Sequence, residues 1–403
     1  MSEQLTIAQL VQRGALSFGD GYRTKKSEHG QPGIPILRVA EVHNGYIRPE
    51  FIDYVSASFR SAMGGKVSRA GDIVLTTKGT VGRAAIIPED APEFVYSPQV
   101  CYFRVSKEGP LTRKYLYYWF KSSEFWDQAG SRKSQTDMAD YLNMADIRSL
   151  KLTVPSCGEQ EAIAAVLGAL DDKIAVNERI AATARQLGLA LFIQASLADD
   201  PVQAAVESVS SVLSRGIAPK YSEHPEDLVV LNQKCIRDGR VSLDPARRTL
   251  PEKVKDPKLL RRNDVLVNST GVGTLGRVAR WTSENAATVD SHITIVRFDE
   301  AHVDPVCAGF ALLRAQPEIE EMGEGSTGQT ELRRAQLGGL EITLPSRTRQ
   351  QQLRPKLDAL EEQADQALAE SLTLAALRDT LLPQLMYGRL RVKDAEKIVE
   401  DHA

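Results

Sequence analysis

The sequence lacks most of the features that mark membrane, secreted and metal-dependent proteins. In its 403 residues no apolar run approaches the ~20 residues that a membrane-spanning helix needs. The N-terminus has no basic segment followed by an apolar core, so no secretion signal is visible. The four cysteines, Cys101, Cys157, Cys235 and Cys307, lie far apart and form no CxxC pair. We therefore expect a cytoplasmic protein without a zinc site or a disulfide framework.

Catalytic motifs are also missing. Neither the Asn/Asp-Pro-Pro-aromatic motif nor the glycine-rich cofactor strand of an amino-methyltransferase occurs, and the scattered acidic residues offer no convincing nuclease motif. The six histidines form no pair at metal-ligand spacing, and His292, the one that stands out, corresponds to Pro98 in the repeat described below. We therefore predict no catalytic residue, no metal and no cofactor in this chain.

Charge is present in local clusters rather than as an overall excess. A net charge of -3 argues against a protein that simply coats DNA. Basic residues nevertheless cluster in YRTKK at 22–26, SRKSQT at 131–136, DPARR at 244–248 and KDPKLLRR at 255–262. Each cluster on its own is as compatible with a solvated surface as with a binding site.

One long segment, about half of the chain, occurs twice. GDIVLTTKGTVGRAAII at residues 71–87 corresponds to NDVLVNSTGVGTLGRVARW at residues 263–281, and the second copy is two residues longer in the turn. Further stretches recur in the same order: ILRVAEVHNGYI as VVLNQKCIRDGRV, GSRKSQT as GSTGQTE, and IRSLKLTVP as LGGLEITLP. The sequence therefore predicts two related domains.

The glycine turn at residues 76–85 does not have the pattern of a nucleotide loop. A Walker loop needs Lys-Ser or Lys-Thr directly after its last glycine, where this turn has Arg83 and Ala84. A dinucleotide fingerprint needs three glycines between a strand and a helix. The flanking residues instead predict a strand on each side of the turn.

Each repeat ends in a segment that predicts a long helix. After Pro155 the apolar residues follow steps of four and three, the spacing of a heptad seam, with Asn177 as a polar member that could fix its register. A second seam with the same spacing follows Pro345. We assign helix pairing to Ile163, Leu167, Leu170 and Ile174 in the first helix and to Leu353, Leu357 and Leu360 in the second.

We expect the two helices to pair in antiparallel orientation, as pseudo-twofold repeats within one chain require. A helix from about Glu159 to Ser196 would be ~57 Å long, which exceeds one turn of B-DNA at ~34 to 36 Å. Pro355 should kink or delay the second helix, Pro383 should bend its last turn, and Gly388 should end it. An ordinary helical hairpin and a homodimeric coiled coil remain open.

The predicted fold class is mixed α/β, with two tandem domains of largely antiparallel strands, each followed by a long helix. A chain of this length has room for two or three domains. The expected boundaries are a first domain at 1–155, a central helix at 156–200, a second domain at 201–345, a C-terminal helix at 346–392 and a tail at 393–403.

The ordered set of motifs resembles the specificity subunit of type I restriction-modification enzymes. It consists of GDIV, a Gly-Thr-x-Gly turn, a GSxxQ stretch and an I..L.L.VP...EQ.AI junction into a long helix, all of it twice, and covers nearly the whole chain. The resemblance implies two target recognition domains that each read one half of a split, asymmetric site in double-stranded DNA. It also implies helices that act as a spacer and dock two adenine-N6 methyltransferase subunits. S-adenosylmethionine would then be bound by those partners, and ATP and Mg by any restriction subunit.

The resemblance places DNA contacts in the turns and variable loops. Lys78 and Thr80 would lie near phosphates, with Arg83 available to a phosphate or a base edge. The full set of candidates is Tyr22, Lys25, Lys26, Lys78, Thr80, Arg83, Arg132, Lys133 and Gln135 in the first repeat, and Arg215, Lys220, Tyr221, Ser269, Thr270, Thr274, Arg277, Thr327 and Gln329 in the second. The alternative is a purely structural hairpin whose arginine pairs with Asp72 or, in the second copy, Asp264.

Two functions of other classes remain open. An enzyme could bind a phosphorylated ligand with its two Gly-Thr-x-Gly turns, and bound nucleotide in the purified protein would support it. A coiled-coil scaffold without a DNA role would form a partner complex that ignores DNA at physiological salt. The divergent basic loops on otherwise similar domains argue against the scaffold.

Overall fold

The computed structural model describes residues 2–48, 50–132, 134–135, 140–198, 200–323 and 331–401. The chain divides into two compact units, unit 1 with Met1–Ala175 and Ser371–Ala403, and unit 2 with Val176–Glu370. Each unit holds one of the repeats together with a part of both long helices. The boundary between the units therefore falls within each long helix. The boundaries expected from the sequence instead treat each long helix as a separate segment.

Unit 1 is built from short strands and helices that precede the first long helix. Its strands are β1 Glu3–Thr6, β2 Leu16–Asp20, β3 Gly33–Leu37, β4 Tyr54–Ser56, β5 Ile73–Thr76, β6 Ala84–Ile86, β7 Val95–Tyr96, β8 Val100–Val105, β9 Ser134–Gln135, β10 Asp140–Tyr141 and β11 Lys151–Val154. Its helices are α1 Ile7–Gln12, α2 Arg60–Met63, α3 Arg113–Lys121, α4 Ser123–Arg132 and α5 Met144–Ser149, followed by the start of α6 Cys157–Ser196.

Unit 2 has a similar but not identical succession of elements. Its strands are β12 Val202–Ala205, β13 Ser210–Arg215, β14 Tyr221–Ser222, β15 Leu228–Leu231, β16 Ile236–Arg237, β17 Arg240–Val241, β18 Arg247–Thr249, β19 Val265–Asn268, β20 Val278–Arg280, β21 Ala287–Val289, β22 Ile293–Phe298 and β23 Glu341–Leu344. Its helices are α7 Pro305–Arg314, α8 Gln316–Glu321 and α9 Arg334–Gly339, followed by the start of α10 Arg347–Met386.

A four-stranded antiparallel sheet forms the centre of each unit. The strand order is β2-β8-β5-β6 in unit 1 and β13-β22-β19-β20 in unit 2, so the two repeats share one topology. All four residues of β5 and of β19 are buried, because elements cover both faces of the sheet. A smaller sheet beside it contains β4-β3-β7 in unit 1 and β14-β18-β15-β21 in unit 2. The predicted mixed α/β class with two tandem domains is confirmed.

Aromatic residues fill the core of unit 1. Helix α3 is buried on nearly all sides from Tyr115 to Phe120, which explains its continuous run of large residues. Phe120 packs on Phe103 of β8 with ring centroids 4.7 Å apart, and Trp119 donates from Nε1 to Glu124 Oε2 at 3.0 Å. The helix is thereby fixed against the central sheet.

A buried glutamine explains the Pro-x-x-x-x-Gln spacing at the start of each long helix. Gln160 donates from Nε2 to the Pro155 carbonyl at 2.8 Å and accepts from the Thr112 amide, just before α3, at 2.8 Å. Gln350 makes the same two bonds in unit 2, to the Pro345 carbonyl at 2.7 Å and from the Asp304 amide at 2.8 Å. The junction motif is therefore a clamp between the domain and its helix.

The second long helix is continuous through both of its prolines. Helix α10 begins at Arg347, before Pro355, and ends at Met386, after Pro383. The expectation that Pro355 delays the helix is therefore wrong. The buried side chains of Leu353 and Leu357, on either side of Pro355, hold this part of α10 in the core of unit 2 and offset the lost hydrogen bond.

The heptad residues contact both the partner helix and the domain core. In unit 1, Ile163, Leu167 and Leu170 of α6 share one hydrophobic cluster with Leu374 and Leu381 of α10. In unit 2 the partners along the two helices run in opposite directions: Asn177 bonds Glu370, and Arg185 bonds Asp365. Ile174 is half-buried against the cluster of unit 1, and the remaining predicted seam residues of α10, Leu353, Leu357 and Leu360, pack within unit 2.

A last helix, α11 Val392–Glu400, occupies most of the segment that the sequence assigned to a tail. Gly388 adopts a φ of 64° directly after α10 and separates the two helices, as its residue type predicts. Ala395 is fully buried, and Ile398 and Val399 pack on the core of unit 1. None of the described helices is both long and apolar enough to cross a membrane.

Candidate functional site

Three loop segments of unit 1 begin or end at one end of its central sheet. The register pairs Asp20 with Cys101 and Thr76 with Val100, so β2 and β5 end where β8 begins. The segments that continue from these strands at this end are 21–26, 77–83 and 97–99. Residues from distant parts of the first repeat therefore form a single sheet end.

Backbone hydrogen bonds tie these segments together. Tyr22 donates to the Tyr96 carbonyl at 2.7 Å, and Thr77 donates to the Gln99 carbonyl at 2.8 Å. Leu142 donates to the Thr77 carbonyl at 2.9 Å. The stretch that follows the GSRKSQT motif is therefore held beside the glycine turn.

Unit 2 builds the same sheet end from its own residues. Ile217 donates to the Val289 carbonyl at 3.0 Å, Ser269 to the His292 carbonyl at 2.8 Å and Leu332 to the Ser269 carbonyl at 2.8 Å. These bonds correspond one by one to those of unit 1. The two repeats thus present different loop sequences on one backbone framework.

The second glycine of each turn makes room for a helix. Gly82 has a φ of 95°, and a Cβ at this position would lie 2.0 Å from the ring of Trp126 in α4. At the corresponding Gly276 a Cβ would lie 2.6 Å from the Cα of Glu320 in α8. Gly79, with a φ of 77°, has no atom within 4 Å of the place that a Cβ would take, so this first glycine faces open space.

The aspartate of the GDIV motif is a structural residue. Asp72 is buried and binds the Arg104 guanidinium of β8 at 2.9 Å, while the Tyr96 hydroxyl donates to it at 2.6 Å. The corresponding Asp264 binds Arg297 of β22 at 2.6 Å. Both carboxylates are therefore satisfied by the neighbouring strand, and the alternative pairings with the turn arginines do not form.

Each turn arginine instead binds a backbone carbonyl. Arg83 is half-buried and donates from Nη1 to the Val42 carbonyl at 3.2 Å. Arg277 donates from Nη2 to the Gly273 carbonyl, within its own turn, at 2.8 Å. These bonds fix the shape of the turns and use part of the donor capacity that we assigned to DNA.

The comparisons with known proteins identify this framework. Residues 17–186 match the family described as Type I restriction modification DNA specificity domain. This segment of the chain is therefore similar to the DNA specificity domain of type I restriction-modification systems. The matched segment includes the whole sheet end of unit 1.

One solved structure has the same fold over nearly the whole chain. The type I restriction-modification S subunit from M. genitalium matches with a TM-score of 0.56 and 16% identity over 96% of each chain. The HsdS subunit from Thermoanaerobacter tengcongensis matches with a TM-score of 0.38 and 15% identity over 96% of this chain and 97% of that one. The first of these shows a shared fold. No curated protein matches the sequence.

The exposed candidates at the sheet ends of unit 1 and unit 2 are mainly lysines. Lys25, Lys26, Lys78 and Thr80 are exposed in unit 1, as are Lys220 and Tyr221 in unit 2. Tyr22 is half-buried at the same sheet end and packs against the smaller sheet of unit 1. Of all the predicted contacts, these side chains are the ones that solvent reaches most easily.

Several candidates of unit 2 hold the loops together. Arg215 binds Glu331 at 2.8 Å and the Leu332 carbonyl at 2.9 Å. Thr270 Oγ1 lies 2.6 Å from the donating Nε2 of Gln233 and 2.8 Å from His292 Nδ1. The Thr274 hydroxyl donates over 3.4 Å to the Gly271 carbonyl. These residues fix the shape of the loops at the sheet end of unit 2.

Ser269 does not belong to this surface. Its side chain is fully buried, and its hydroxyl lies 2.5 Å from the Thr294 hydroxyl inside the central sheet. The prediction that Ser269 contacts DNA is therefore not retained. The residue is buried because it continues β19, whereas the sequence suggested an exposed position next to the turn.

The GSxxQ stretches are only partly described. Lys133, Thr327 and Gln329 lie outside the described residues. Arg132 ends α4 and Gln135 lies in β9, and the structure describes the backbone of both but not their side chains. Their assignment to DNA contacts stays a prediction.

Sequence reasoning missed two residues at these sheet ends. Trp126, 39% exposed, covers Gly82, and Arg247 lies over the ring of Tyr221. The sequence shows Arg247 only as one of the basic residues of the DPARR cluster and gives no sign that it stacks on Tyr221. No group of three His, Cys, Asp or Glu side chains among the described residues is placed to hold a metal ion.

Proposed function

We propose that this chain is the DNA-specificity subunit of a type I restriction-modification enzyme and that unit 1 and unit 2 each read one half of a split, asymmetric DNA site. The observation that carries the proposal is the repeated sheet end. The same backbone hydrogen bonds gather three segments in each unit, and it is these segments that differ between the repeats.

Charge supports DNA as the ligand of both sheet ends. Among the described residues, Lys25, Lys26 and Lys78 of unit 1 and Lys220 of unit 2 make no ion pair. Unpaired lysines on loops release counterions when they approach phosphates, which is the main sequence-independent term in DNA affinity. The loops beside them supply the side chains that differ, as base readout requires.

Divergence between the turns supports an asymmetric target. TKGTVGR in unit 1 corresponds in sequence to STGVGTLGR in unit 2. Val272, at the tip of the longer turn, is 75% exposed. Two identical readers would recognise a palindrome, because the symmetry of the site follows the symmetry of the protein. Two different readers on one framework would recognise two different half-sites.

Exposed apolar residues on the long helices support docking of partner subunits. Val176 and Leu187 of α6 are 46% and 47% exposed, and Leu372 of α10 is 67% exposed. Such side chains suit a protein interface. We assign this role to two adenine-N6 methyltransferase subunits, which would bind S-adenosylmethionine, in a cytoplasmic complex that restriction subunits using ATP and Mg could join.

Binding of a phosphorylated ligand by the glycine turns is not favoured. Gly82 faces Trp126 rather than open space, and the turn leads into strand β6 instead of a helix N-terminus. The turn therefore lacks the aligned amides that a phosphate site would need.

Mapping of N6-methyladenine tests the proposal. The chain is expressed with an adenine-N6 methyltransferase subunit of a type I system in a methylation-free host, and the methyltransferase alone is the control. A split, non-palindromic motif that appears only with the chain supports the proposal. A stable complex that leaves the DNA unmethylated, or a palindromic motif, contradicts it.

A further inference from the structure

Tyr221 and Arg247 form an exposed stacked pair beside the sheet end of unit 2. Tyr221 is 44% exposed, and the guanidinium carbon of Arg247 lies 3.4 Å from the centroid of its ring. Their strands β14 and β18 are hydrogen-bonded neighbours in the smaller sheet. Leu250 donates to the Lys220 carbonyl at 3.1 Å, so the pair adjoins the loop that reaches the sheet end.

Stacking orients Arg247 without using its hydrogen-bond donors. The face of a tyrosine ring attracts a flat guanidinium, and the N–H groups at the edge of the guanidinium then remain available. Arg247 is exposed and has no carboxylate partner among the described residues. Its neighbour Arg248, by contrast, donates to the Asp227 carbonyl at 2.9 Å and is used by the fold.

Unit 1 carries the opposite charge at the corresponding position. His29 pairs with Val55 in unit 1, and Tyr221 pairs with Thr249 at the corresponding place in unit 2. The residue two positions before Val55 is Asp53, and the residue two positions before Thr249 is Arg247. Asp53 lies 4.0 Å from His29 and is bound by Arg38 at 2.6 Å. One strand position thus holds a basic stack in one unit and a carboxylate in the other.

We propose that Arg247 is a specificity-determining residue that reads a base edge in the half-site of unit 2, an inference that rests on the proposed function. An oriented guanidinium can donate two hydrogen bonds to guanine O6 and N7, whereas a carboxylate at the same position would accept from cytosine N4. The exchange of Arg for Asp gives the two repeats different hydrogen-bonding groups at this strand position, with the Asp53 carboxylate bound by Arg38 and the Arg247 guanidinium without a carboxylate partner among the described residues. Tyr221 is the positioning residue that holds the guanidinium.

The test uses the full chain in complex with its methyltransferase. R247A relaxes one position of one half-site and lowers affinity for the duplex with the wild-type motif about tenfold or more. R247K does not restore that base preference, because an ammonium lacks the planar fork. Y221F keeps the wild-type motif because the ring remains, while Y221L loses part of the preference. R389A is the matched control, since Arg389 stacks on Tyr387 at 4.8 Å beyond the end of α10.

Each outcome separates this inference from the proposed function. A split motif for the wild-type chain that R247A leaves unchanged, with affinity within about twofold, overturns the role of Arg247 alone. Equal weakening on every duplex with a shallower salt dependence assigns Arg247 to a phosphate and also overturns base readout. If the wild-type chain directs methylation to no split motif, both the proposed function and the role of Arg247 are overturned. Because Arg247 is exposed, none of its variants disturbs the core.

Discussion

Asp171 of the first long helix accepts a hydrogen bond from Arg378 of the second at 2.7 Å. The same carboxylate accepts from the Tyr118 hydroxyl of α3 at 2.9 Å, so it joins the domain of unit 1 to both helices. Glu361, at the corresponding place in unit 2, binds Arg185 of α6 and the buried Arg280 of β20, each at 3.2 Å. Each long helix therefore carries one acid that fixes its own domain and the other helix together.

Removal of the charge of Asp171 should destabilise unit 1. D171N keeps the size of the side chain but leaves Arg378 without its helix partner in a mostly buried setting. We expect a loss of about 2 kcal/mol, below the value for a fully buried pair because solvent reaches part of it. Denaturant unfolding measures the loss. D172N, at the exposed neighbour Asp172, should leave stability unchanged, and an equal effect of the two variants would contradict the role of Asp171.

The two glycines of the first turn should differ in their tolerance of alanine. G82A forces a Cβ into the ring of Trp126 and should cost about 3 kcal/mol, since both the contact and the positive φ are unfavourable. G79A meets open space and should cost only the backbone strain of about 1 to 2 kcal/mol. Thermal unfolding of both variants checks the order. W126A in the G82A background should recover part of the loss, and no recovery would show that the ring is not the obstacle.

Lys78 should contribute to DNA affinity through a contact with a phosphate of the DNA backbone. K78A should weaken binding to all duplexes alike and lower the slope of log affinity against log salt by about 1. Lys78 is a cleaner test than Arg83, whose bond to the Val42 carbonyl also shapes the turn. K107A is the control, because exposed Lys107 follows β8 at the opposite end of the sheet. Salt titrations with identical slopes for wild type and K78A would remove the turn from the contact surface.

Glu124 should make the stability of unit 1 depend on pH. Burial raises the pKa of this carboxyl above its ordinary value of 4.5, although Thr153 and Trp119 donate to it. The folded state therefore binds a proton more strongly than the unfolded state. The stability that this protonation adds is complete below about pH 4.5 and is lost as the pH rises through the raised pKa. The difference in unfolding free energy between wild type and E124Q, followed across this range, should show the fall. E161Q, at an exposed site on α6, is the control, and a flat difference for E124Q would contradict the prediction.

The order of elements could be predicted from the sequence, because it depends on local patterns. The repeat, the strand-turn-strand pattern around Gly79 and the long helices with Leu167 and Leu357 in their seams all follow from spacing within short windows. Pro355 was misjudged because its effect on α10 is decided by the burial of its neighbours. Local propensity cannot include that energy.

Contacts between distant segments could not be predicted in the same way. The sheet end forms because β2, β5 and β8 pair in a register that no single segment specifies. The pairing of Asp72 with Arg104 and the stack of Arg247 on Tyr221 likewise depend on strands that are far apart in the sequence. Ser269 was misplaced for the same reason, because its burial follows from the strand beside it.

The division of unit 1 into two stretches of sequence has a consequence for synthesis on the ribosome. Leu382 and Leu385 of α10 and Ala395 of α11 belong to the core that residues 1–175 begin. Unit 2, being continuous, can be completed while the core of unit 1 still lacks these side chains. The core of unit 1 is therefore completed only after Leu382, Leu385 and Ala395 have been translated, and the apolar surface that they cover stays open until then.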